Sequence, residues 1–318
     1  MSLGVVVVGV ALIVWGAETF AEHLAVASTR LGVSTFALAI LLAGAEPEEL
    51  ATAVTASVRG APGIAFGDVI GANIAICLVA LGVGAVIAPL PFGDGVRPYA
   101  LLAIPTGVAA AALAWDGQVE RGEGLLLVSA YVAYVALIWW RERRPPALGE
   151  TDELAQAQAE NTRGQGRVGL ELLAVVGGVV ALAIGAILVV EAVRRLTDVE
   201  SSQTVLGQTI VGFATAFELV VLAWSSARHG VSEAVVAAVV GSFAYNSTMT
   251  LGAGALARPL RLEDADLLHL PWVVMLAALA LVVALGWRPR RLDRRRGIVL
   301  LAAYPVVVVA LSLVLPGR

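Results

Sequence analysis

The stretch that decides the fold spans residues 41–84 and reads LLAGAEPEELATAVTASVRGAPGIAFGDVIGANIAICLVALGVG. Glu46, Glu48 and Glu49 stand inside an otherwise apolar run that is long enough to cross a bilayer. An ionisable residue at the centre of a membrane costs at least about 2.5 kcal/mol on insertion scales, so three together indicate a functional site. All three cannot be ionised without a cation or water, so we expect some to bind a proton or a metal ion. Because Gly44 and Pro47 favour a helix break, the alternative interpretation is a surface loop.

The rest of the chain has the composition of a membrane protein. Its 318 residues are 59% hydrophobic and 14% charged, with a mean hydropathy of +0.87. A soluble domain is about one half apolar and one quarter charged, so a cytosolic enzyme and a nucleic-acid binder are excluded. The single cysteine, Cys77, excludes an internal disulfide and a cysteine-rich metal site. The chain contains no lysine, which excludes ATP coupling through a lysine-containing phosphate loop.

Ten segments are long and apolar enough to span a hydrocarbon core of about 30 Å. They are 3–21, 33–57, 66–88, 98–115, 122–140, 169–190, 203–227, 233–256, 268–287 and 297–316. We therefore expect an all-α polytopic membrane protein with ten transmembrane helices. The polar stretch between spans five and six predicts three regions: 1–141, a cytoplasmic linker at 142–166, and 167–318.

The arginine distribution predicts the orientation of the chain. Ten spans put both termini on one side, and basic residues mark cytoplasmic loops. With the N-terminus outside, 14 of the 21 arginines fall on the inner side, including the cluster at 288–296. We therefore expect a protein of the inner (plasma) membrane with both termini outside.

The second half of the chain repeats the first. Gly16 and Ala17 match Gly185 and Ala186, Gly60 matches Gly230, Gly71 matches Gly241, Gly82 matches Gly252, and Gly124 and Tyr131 match Gly297 and Tyr304, at offsets of 169 to 173. Since each repeat holds five spans, an odd number, the second must be inverted in the membrane. Two inverted five-helix repeats are the hallmark of secondary transporters, whose site lies at the midplane between the halves.

Three stretches resemble the cation/calcium exchanger superfamily, which includes the sodium/calcium exchangers. Span 1 reads WGAETFAEHLAVASTRLGVS, and residues 41–84 resemble the first signature repeat. Residues 209–254, which read TIVGFATAFELVVLAWSSARHGVSEAVVAAVVGSFAYNSTMTLGAG, resemble the second. The resemblance implies an antiporter that exchanges calcium against sodium or protons by alternating access. Its partners would be inorganic cations and the lipid bilayer, with no cofactor, no ATP and no nucleic acid.

The resemblance and the repeat together predict the cation site. Counting from Gly44 puts Glu49 at the glutamate of the family motif, whereas the offset of 170 pairs Glu48 with Glu218, so both remain candidates. We expect Glu218 and one of these two to face each other across the midplane and bind the cation. Hard cations prefer oxygen ligands from carboxylates, amides and hydroxyls. The predicted cation ligands are Glu48, Glu49, Glu218, Asn73, Thr215 and Asn246, with Glu46, Asp68, Ser242 and Glu18 as possible further ligands or pathway residues.

Several alternatives accompany this prediction. Asn73 and Asn246 could instead make interhelical hydrogen bonds, and the Thr215 hydroxyl could bond back to its own helix. Glu18 lines the pathway or reaches the membrane interface. Spans 2 and 7 are expected to be interrupted near Gly44–Pro47 and Ala214–Phe217, because a midplane cation needs carbonyls freed from the helix. The functional alternatives are a sodium/proton-type exchanger without calcium specificity, a lipid-modifying membrane enzyme, and a non-transporting scaffold or sensor.

Overall fold

Ten apolar helices form the part of the molecule that the computed structural model describes, which is residues 2–30, 46–93, 96–142, 168–197, 199–229, 232–288 and 290–314. The helices are α1 (Ser2–Arg30), α2 (Pro47–Val58), α3 (Pro62–Ala75, Ile76–Ala80 and Leu81–Ile87), α4 (Arg97–Leu113), α5 (Arg121–Glu142), α6 (Val168–Leu196), α7 (Glu200–Leu206, Gly207–Val211 and Gly212–Thr215, then Phe217–His229), α8 (Ser232–Tyr245, Asn246–Thr250 and Leu251–Ala257), α9 (Asp266–Trp287) and α10 (Arg294–Val314). Eight of them are long and apolar enough to cross a membrane, whereas α2 and α4 are shorter. The prediction of an all-α polytopic membrane protein with ten helices is confirmed. The start of span 2 and the linker predicted at 142–166 lie largely outside the described residues.

Helices α1 and α6 cross through two glycine pairs that show the inverted symmetry directly. A Cβ on Gly9 would lie 3.0 Å from the Gly185 carbonyl oxygen, and a Cβ on Gly16 would lie 2.8 Å from that of Gly178. Gly9 matches Gly178 and Gly16 matches Gly185 at an offset of 169, so a two-fold axis exchanges the two contacts. Because glycine lets helix backbones approach closely in a membrane, a larger side chain at these four positions would force the helices apart.

Two short strand pairs repeat the same symmetry at the ends of the helices. Strand β1 (Leu90–Pro91) pairs antiparallel with β4 (Arg291–Leu292), and β2 (Gln118–Val119) pairs with β3 (Leu260–Arg261). Under the repeat, the loop carrying β1 matches that of β3, and the loop carrying β2 matches that of β4. Each pair therefore maps onto the other. The pairing also requires the α3–α4 and α9–α10 loops to share one face of the protein, as ten alternating spans demand.

Helices α3 and α8 form the centre of the protein. Their membrane-length windows are 83% and 94% buried, against 17% for α10. Each contains one π-helical turn, at Ile76–Ala80 and at Asn246–Thr250, in equivalent positions of the two repeats. Such turns interrupt the regular hydrogen-bond ladder and occur frequently at functional sites. Helices α2 and α7 pack beside these two, so the four helices of the signature repeats meet in the interior.

Irregular backbone lies near both predicted breaks. Helix α7 ends at Thr215 and resumes at Phe217, with Ala216 as a single turn residue inside the interruption predicted at Ala214–Phe217. The break is slight, because Ala216 keeps helical dihedral angles and its N–H donates to the Gly212 carbonyl oxygen at 3.2 Å. Helix α2 begins at Pro47, and Glu46 before it has a non-helical backbone with φ −108° and ψ 84°. Gly44 and Ala45, the first residues of the other predicted break, lie outside the described residues.

Candidate functional site

The first turn of α2 carries a compact group of three buried carboxylates. Glu46, Glu48 and Glu49 are 4%, 3% and 0% exposed, and one oxygen from each lies within 4.8 Å of the others. Pro47 starts the helix at this point because its missing N–H is not needed in the first turn. The N-terminal end of a helix stabilises negative charge, so this position offsets part of the free energy that the repulsion between the carboxylates costs.

A serine from the other repeat contacts this group. The Ser242 hydroxyl, on α8, donates a hydrogen bond to one oxygen of Glu46. The two oxygens of Glu49 accept no hydrogen bond from any N–H or hydroxyl group in the described part of the chain. The neighbouring polar group is the Glu46 carboxyl, which can donate to Glu49 only when it carries a proton. The group is therefore incomplete in the protein alone and needs a proton or a cation.

Electrostatics makes this requirement stronger. At 4.8 Å and an effective dielectric constant of about 20, two bare carboxylates repel each other by about 3.5 kcal/mol. Asp68 adds a fourth buried carboxylate whose charge acts on Glu49. No arginine is buried among the described residues, and lysine is absent from the chain. Compensating charge must therefore come from a bound cation or from protons.

A second polar contact joins α3 to α7 beside the helix break. The Thr215 hydroxyl donates to Asp68 Oδ1 at 3.0 Å and also lies 3.2 Å from the Val211 carbonyl oxygen. The interhelical and back-bonded interpretations of Thr215 are thus both present. Asp68 Oδ2 has no hydrogen-bond donor in the described residues. This oxygen is a second buried position that can accept a proton or a cation.

The two asparagines differ in their contacts. Asn73 Nδ2 donates to Ser247 Oγ at 2.9 Å and to the Phe243 carbonyl oxygen at 3.3 Å, so Asn73 joins α3 to α8. Asn246 Oδ1 accepts a hydrogen bond from Thr250 Oγ1 at 3.3 Å, within α8. The remaining polar atoms, Asn73 Oδ1 and Asn246 Nδ2, have no partner in the described part of the chain. The interhelical role considered for Asn73 is therefore observed, and its amide oxygen remains available.

Alanine at these two positions should separate binding from packing. We expect Asn246→Ala to weaken apparent cation affinity more than it slows maximal flux, with little loss of folded protein. Asn73→Ala should do the same and also lower the free energy of unfolding by about 1–3 kcal/mol, because Ser247 and the Phe243 carbonyl lose a buried donor. Concentration-dependent flux and thermal unfolding of the purified proteins measure the two effects. Unchanged affinity in both variants would contradict a ligand role for these amides.

The remaining candidates lie farther from the carboxylate group. Glu218 is half-buried in the first turn after the break in α7 and is not among the three carboxylates that lie within 4.8 Å of one another. Glu18 is exposed on α1, which favours contact with the interface over a place in the interior. The structure thus brings Glu46, Glu48 and Glu49 together with Ser242, and Asp68 together with Thr215.

Sequence reasoning missed the tyrosines beside the carboxylates. Tyr131 on α5 and Tyr245 on α8 are buried and meet edge to face with ring centroids 5.2 Å apart. Tyr245 is close enough to interact electrostatically with Glu46, Glu48 and Glu49. The available signal was the presence of phenol groups within apolar spans, since buried tyrosine hydroxyls need polar partners.

Gln208 is another polar side chain that the sequence analysis overlooked. It lies on α7 and is 3% exposed, and both of its amide atoms lack a partner in the described residues. Its backbone packs against Gly71 so closely that a Cβ at Gly71 would overlap it. Gln208 is the only glutamine in the span predicted at 203–227 apart from Gln203 at its end, which was a usable signal.

Comparisons with known proteins agree with this architecture. Residues 1–140 and 170–313 match the family described as sodium/calcium exchanger protein. The chain is 27% identical over 307 residues to the protein named antiporter CaxA of Alkalimonas amylolytica, covering 94% of this chain and 95% of that protein. It is 24% identical over 343 residues to the sodium/calcium exchanger MaX1 of Methanosarcina acetivorans, covering 96% and 97%.

Solved structures share the fold. The sodium-calcium exchanger NCX_Mj superposes with a TM-score of 0.62 at 22% identity, covering 97% of this chain and 98% of that one. The H+/Ca2+ exchanger CAX superposes with a TM-score of 0.70 at 17% identity, covering 97% and 82%. Ten helices in inverted repeats, buried carboxylates between them and a family match over nearly the whole length lead to one assignment: the chain belongs to the sodium/calcium exchanger protein family.

Proposed function

We propose that this protein is a secondary cation antiporter that moves calcium against sodium or protons by alternating access. The observation that carries the proposal is the group formed by Glu46, Glu48 and Glu49, whose oxygens lie within 4.8 Å of one another without a buried arginine in the described residues. Such a group has too much negative charge to remain without a bound cation or protons. The family consists of exchangers, which supports transport and not enzymatic catalysis.

Calcium suits this group better than a monovalent cation does. Calcium takes six to eight oxygen ligands and favours carboxylates, and its double charge offsets more of the repulsion among three anions. The ligand set that we propose contains Glu46, Glu48 and Glu49 with the hydroxyl of Ser242. Two proteins of the same fold, a sodium-calcium exchanger and an H+/Ca2+ exchanger, support the same ion.

The second repeat would complete the site when the protein changes conformation. Thr215 and Glu218 flank the break in α7, and Asn73 and Asn246 lie on the central helices α3 and α8. In the mechanism that we propose, the outer helices move against this core and open the carboxylates to each side in turn. Calcium leaves when sodium ions or protons take over the neutralisation of the carboxylates. Asp68, whose Oδ2 has no donor in the described residues, offers a further position for these ions.

Flux in proteoliposomes tests the proposal. Purified protein is reconstituted in vesicles loaded with radioactive calcium. Calcium release is followed under three conditions: an inward sodium gradient alone, an inward proton gradient alone, and no gradient. We expect release under at least one gradient and none from protein-free vesicles. Sodium or proton movement that proceeds equally with and without calcium would support the alternative exchanger without calcium specificity. A folded protein that moves no cation under any gradient would overturn the antiporter.

The orientation is a separate proposal. We propose an inner-membrane protein with both termini outside, supported by the arginine distribution and by the cluster at 288–296. A reporter enzyme that is active only in the periplasm, fused after Arg318, should be active. A fusion after Arg144, in the predicted inner linker, serves as the matched control and should be silent. The reverse pattern would show that the orientation is inverted.

A further inference from the structure

A concentrated basic surface lies where α9 ends and α10 begins. Arg288, Arg290, Arg291, Arg294 and Arg295 are all exposed, and we refer to these five as the arginine platform. Within residues 288–296 the one acid is Asp293, and it is bound by Arg296, whose guanidinium lies 2.5 Å from Asp293 Oδ2. The backbone N–H of Arg296 and its charge hold the pKa of Asp293 below the ordinary value, so that this carboxylate stays ionised and paired with Arg296. The platform therefore keeps a large positive charge.

The loop that displays the platform is held in place. Strand β4 pairs with β1, and the Phe92 N–H donates to the Arg290 carbonyl oxygen at 2.8 Å. The Phe92 ring is fully buried against Gly286, where a Cβ would overlap it. The arginines are thus presented from an ordered backbone and not from a loose tail.

The symmetry-related loop shows that the fold does not require these arginines. Residues 117–123 read GQVERGE, and residues 290–296, at an offset of 173, read RRLDRRR. The backbones correspond: the Leu262 N–H donates to the Gly117 carbonyl oxygen at 2.8 Å, as the Phe92 N–H does to that of Arg290. Residues 117–123 adopt this backbone with one arginine and two glutamates. Residues 290–296 adopt the same backbone with five arginines and one aspartate.

Arg290 occupies a position that favours glycine. Its φ is 56°, in the left-handed region, and its counterpart Gly117 has φ 77°. A side chain with a Cβ is disfavoured there, and glycine adopts the region freely. The arginine at this position therefore adds a positive charge to the platform at the expense of some backbone strain.

The residues beside the platform are typical of a membrane interface. Trp287, at the end of α9, is 40% exposed, and the Arg97 guanidinium lies 4.7 Å from its ring centroid and donates to its carbonyl oxygen. Tryptophans with one apolar side and one polar side mark the membrane interface. On the other face, His269 stacks on Trp115 at 4.2 Å in the equivalent contact, without a platform beside it. Residues 117–123 on that face hold one arginine, whereas residues 290–296 hold five, so the two equivalent loops differ in positive charge.

We propose that the arginine platform binds the phosphate groups of anionic phospholipids in the adjoining leaflet. Arginine presents a planar set of N–H donors that match a phosphate, and clustered basic residues beside a transmembrane helix attract acidic headgroups. The platform lies on the α9–α10 loop, and the carboxylate group lies at the start of α2. The proposal therefore concerns a lipid site distinct from the cation site and does not depend on the ion transported.

Lipid retention by the purified protein tests this site. The protein is incubated in mixed micelles of phosphatidylcholine with phosphatidylglycerol, and bound lipid is counted by native mass spectrometry while the thermal midpoint is recorded. We expect phosphatidylglycerol to be retained in preference to phosphatidylcholine, to raise the midpoint, and to be displaced by high salt. The double variant Arg294→Gln/Arg295→Gln should retain about three-fold to ten-fold less phosphatidylglycerol than the parent protein.

Controls separate the site from general charge effects. Arg194→Gln/Arg195→Gln removes two arginines at the end of α6, where both contact Glu191, and should leave retention unchanged. Arg290→Gly installs the residue of the symmetric loop, so it should fold at least as well as the parent and still retain less phosphatidylglycerol. Calcium release in pure phosphatidylcholine vesicles should match that of the parent for every platform variant.

Three results would overturn the lipid site. The first is equal phosphatidylglycerol retention by the parent and by both platform variants. The second is an equal loss in the α6 control, which would indicate net charge alone. The third is stabilisation by soluble glycerol phosphate at the same phosphate concentration, which would identify a free anion as the ligand.

Discussion

Glu49→Gln is expected to abolish cation exchange in proteoliposomes while leaving the protein folded. Glu49 is fully buried, and its oxygens have no hydrogen-bond donor in the described residues other than a protonated neighbouring carboxyl. The amide keeps the shape of the side chain and removes the charge that would hold the cation. Truncating one member of a buried charged pair costs about 2–5 kcal/mol of binding, so calcium release should fall by at least about 30-fold.

Stability should change in the opposite sense to activity. Without a cation, the carboxylates of Glu46, Glu48 and Glu49 repel one another. Neutralising one of them should therefore leave the free energy of unfolding unchanged or raise it by about 1 kcal/mol. Calcium release and thermal unfolding are measured on the same preparation. Glu22→Gln, which neutralises an exposed glutamate on α1, is the matched control and should transport normally. A Glu49→Gln protein with parental exchange rates would remove Glu49 from the cation site.

The neighbouring glutamates provide a graded comparison. Adjacent helical positions point about 100° apart, and the sequence analysis therefore expected only one of Glu48 and Glu49 to face the site. In the structure, both contribute an oxygen to the same group, because side chains in the first turn of a helix can converge above its end. We rank Glu49 above Glu48 because Glu49 is completely buried and is also repelled by the charge of Asp68. Glu48→Gln should therefore reduce flux less than Glu49→Gln does.

Local patterns and internal spacing explain why the fold could be predicted. Apolar runs of membrane length set the helices, and matching glycines revealed the repeat because glycines mark close helix crossings such as Gly9 against Gly185. The requirement of a midplane cation for free carbonyls predicted the slight break beside Thr215. Helix α1 continues to Arg30 beyond the expected residue 21, because hydrogen bonding continues a helix past the hydrocarbon core.

Contacts between distant residues could not be read from the sequence. Ser242 meets Glu46 across 196 positions, and Thr215 meets Asp68 across 147. Neither pair has a local signature, since each depends on how two repeats pack against each other. The sequence marked Glu46 only as a possible further ligand, yet it accepts a hydrogen bond from Ser242 of the second repeat. Tertiary packing, and not periodicity, decides which polar residues of an apolar helix converge.

The internal symmetry of the protein is broken at its centre. The helices, glycine crossings and strand pairs obey the two-fold relation, but the three carboxylates belong to the first repeat alone. At the offset of 170, the counterparts of Glu46, Glu48 and Glu49 are Ala216, Glu218 and Leu219. One repeat thus concentrates the charge, and the other contributes a single acid and the hydroxyls of Thr215 and Ser242. Among the residues of the second repeat that match the three glutamates, Glu218 is thus the one acid that could contact the cation.

Glu218→Gln should therefore be as damaging to exchange as Glu49→Gln, by a different route. In this conformation Glu218 is half-buried, in the first turn after the break in α7, and lies outside the group of three carboxylates. If Glu218 contacts the cation only when the two repeats move, the variant should still bind calcium, and its affinity should fall less than that of Glu49→Gln. Its calcium release across the membrane should be at least about 30-fold slower.

Equilibrium calcium binding in detergent and calcium release from proteoliposomes separate the two steps. Glu22→Gln, which neutralises an exposed glutamate on α1, again controls for the loss of one acid. A Glu218→Gln protein that exchanges calcium at the parental rate would show that the second repeat needs no carboxylate, and that the three glutamates of the first repeat carry the cation alone.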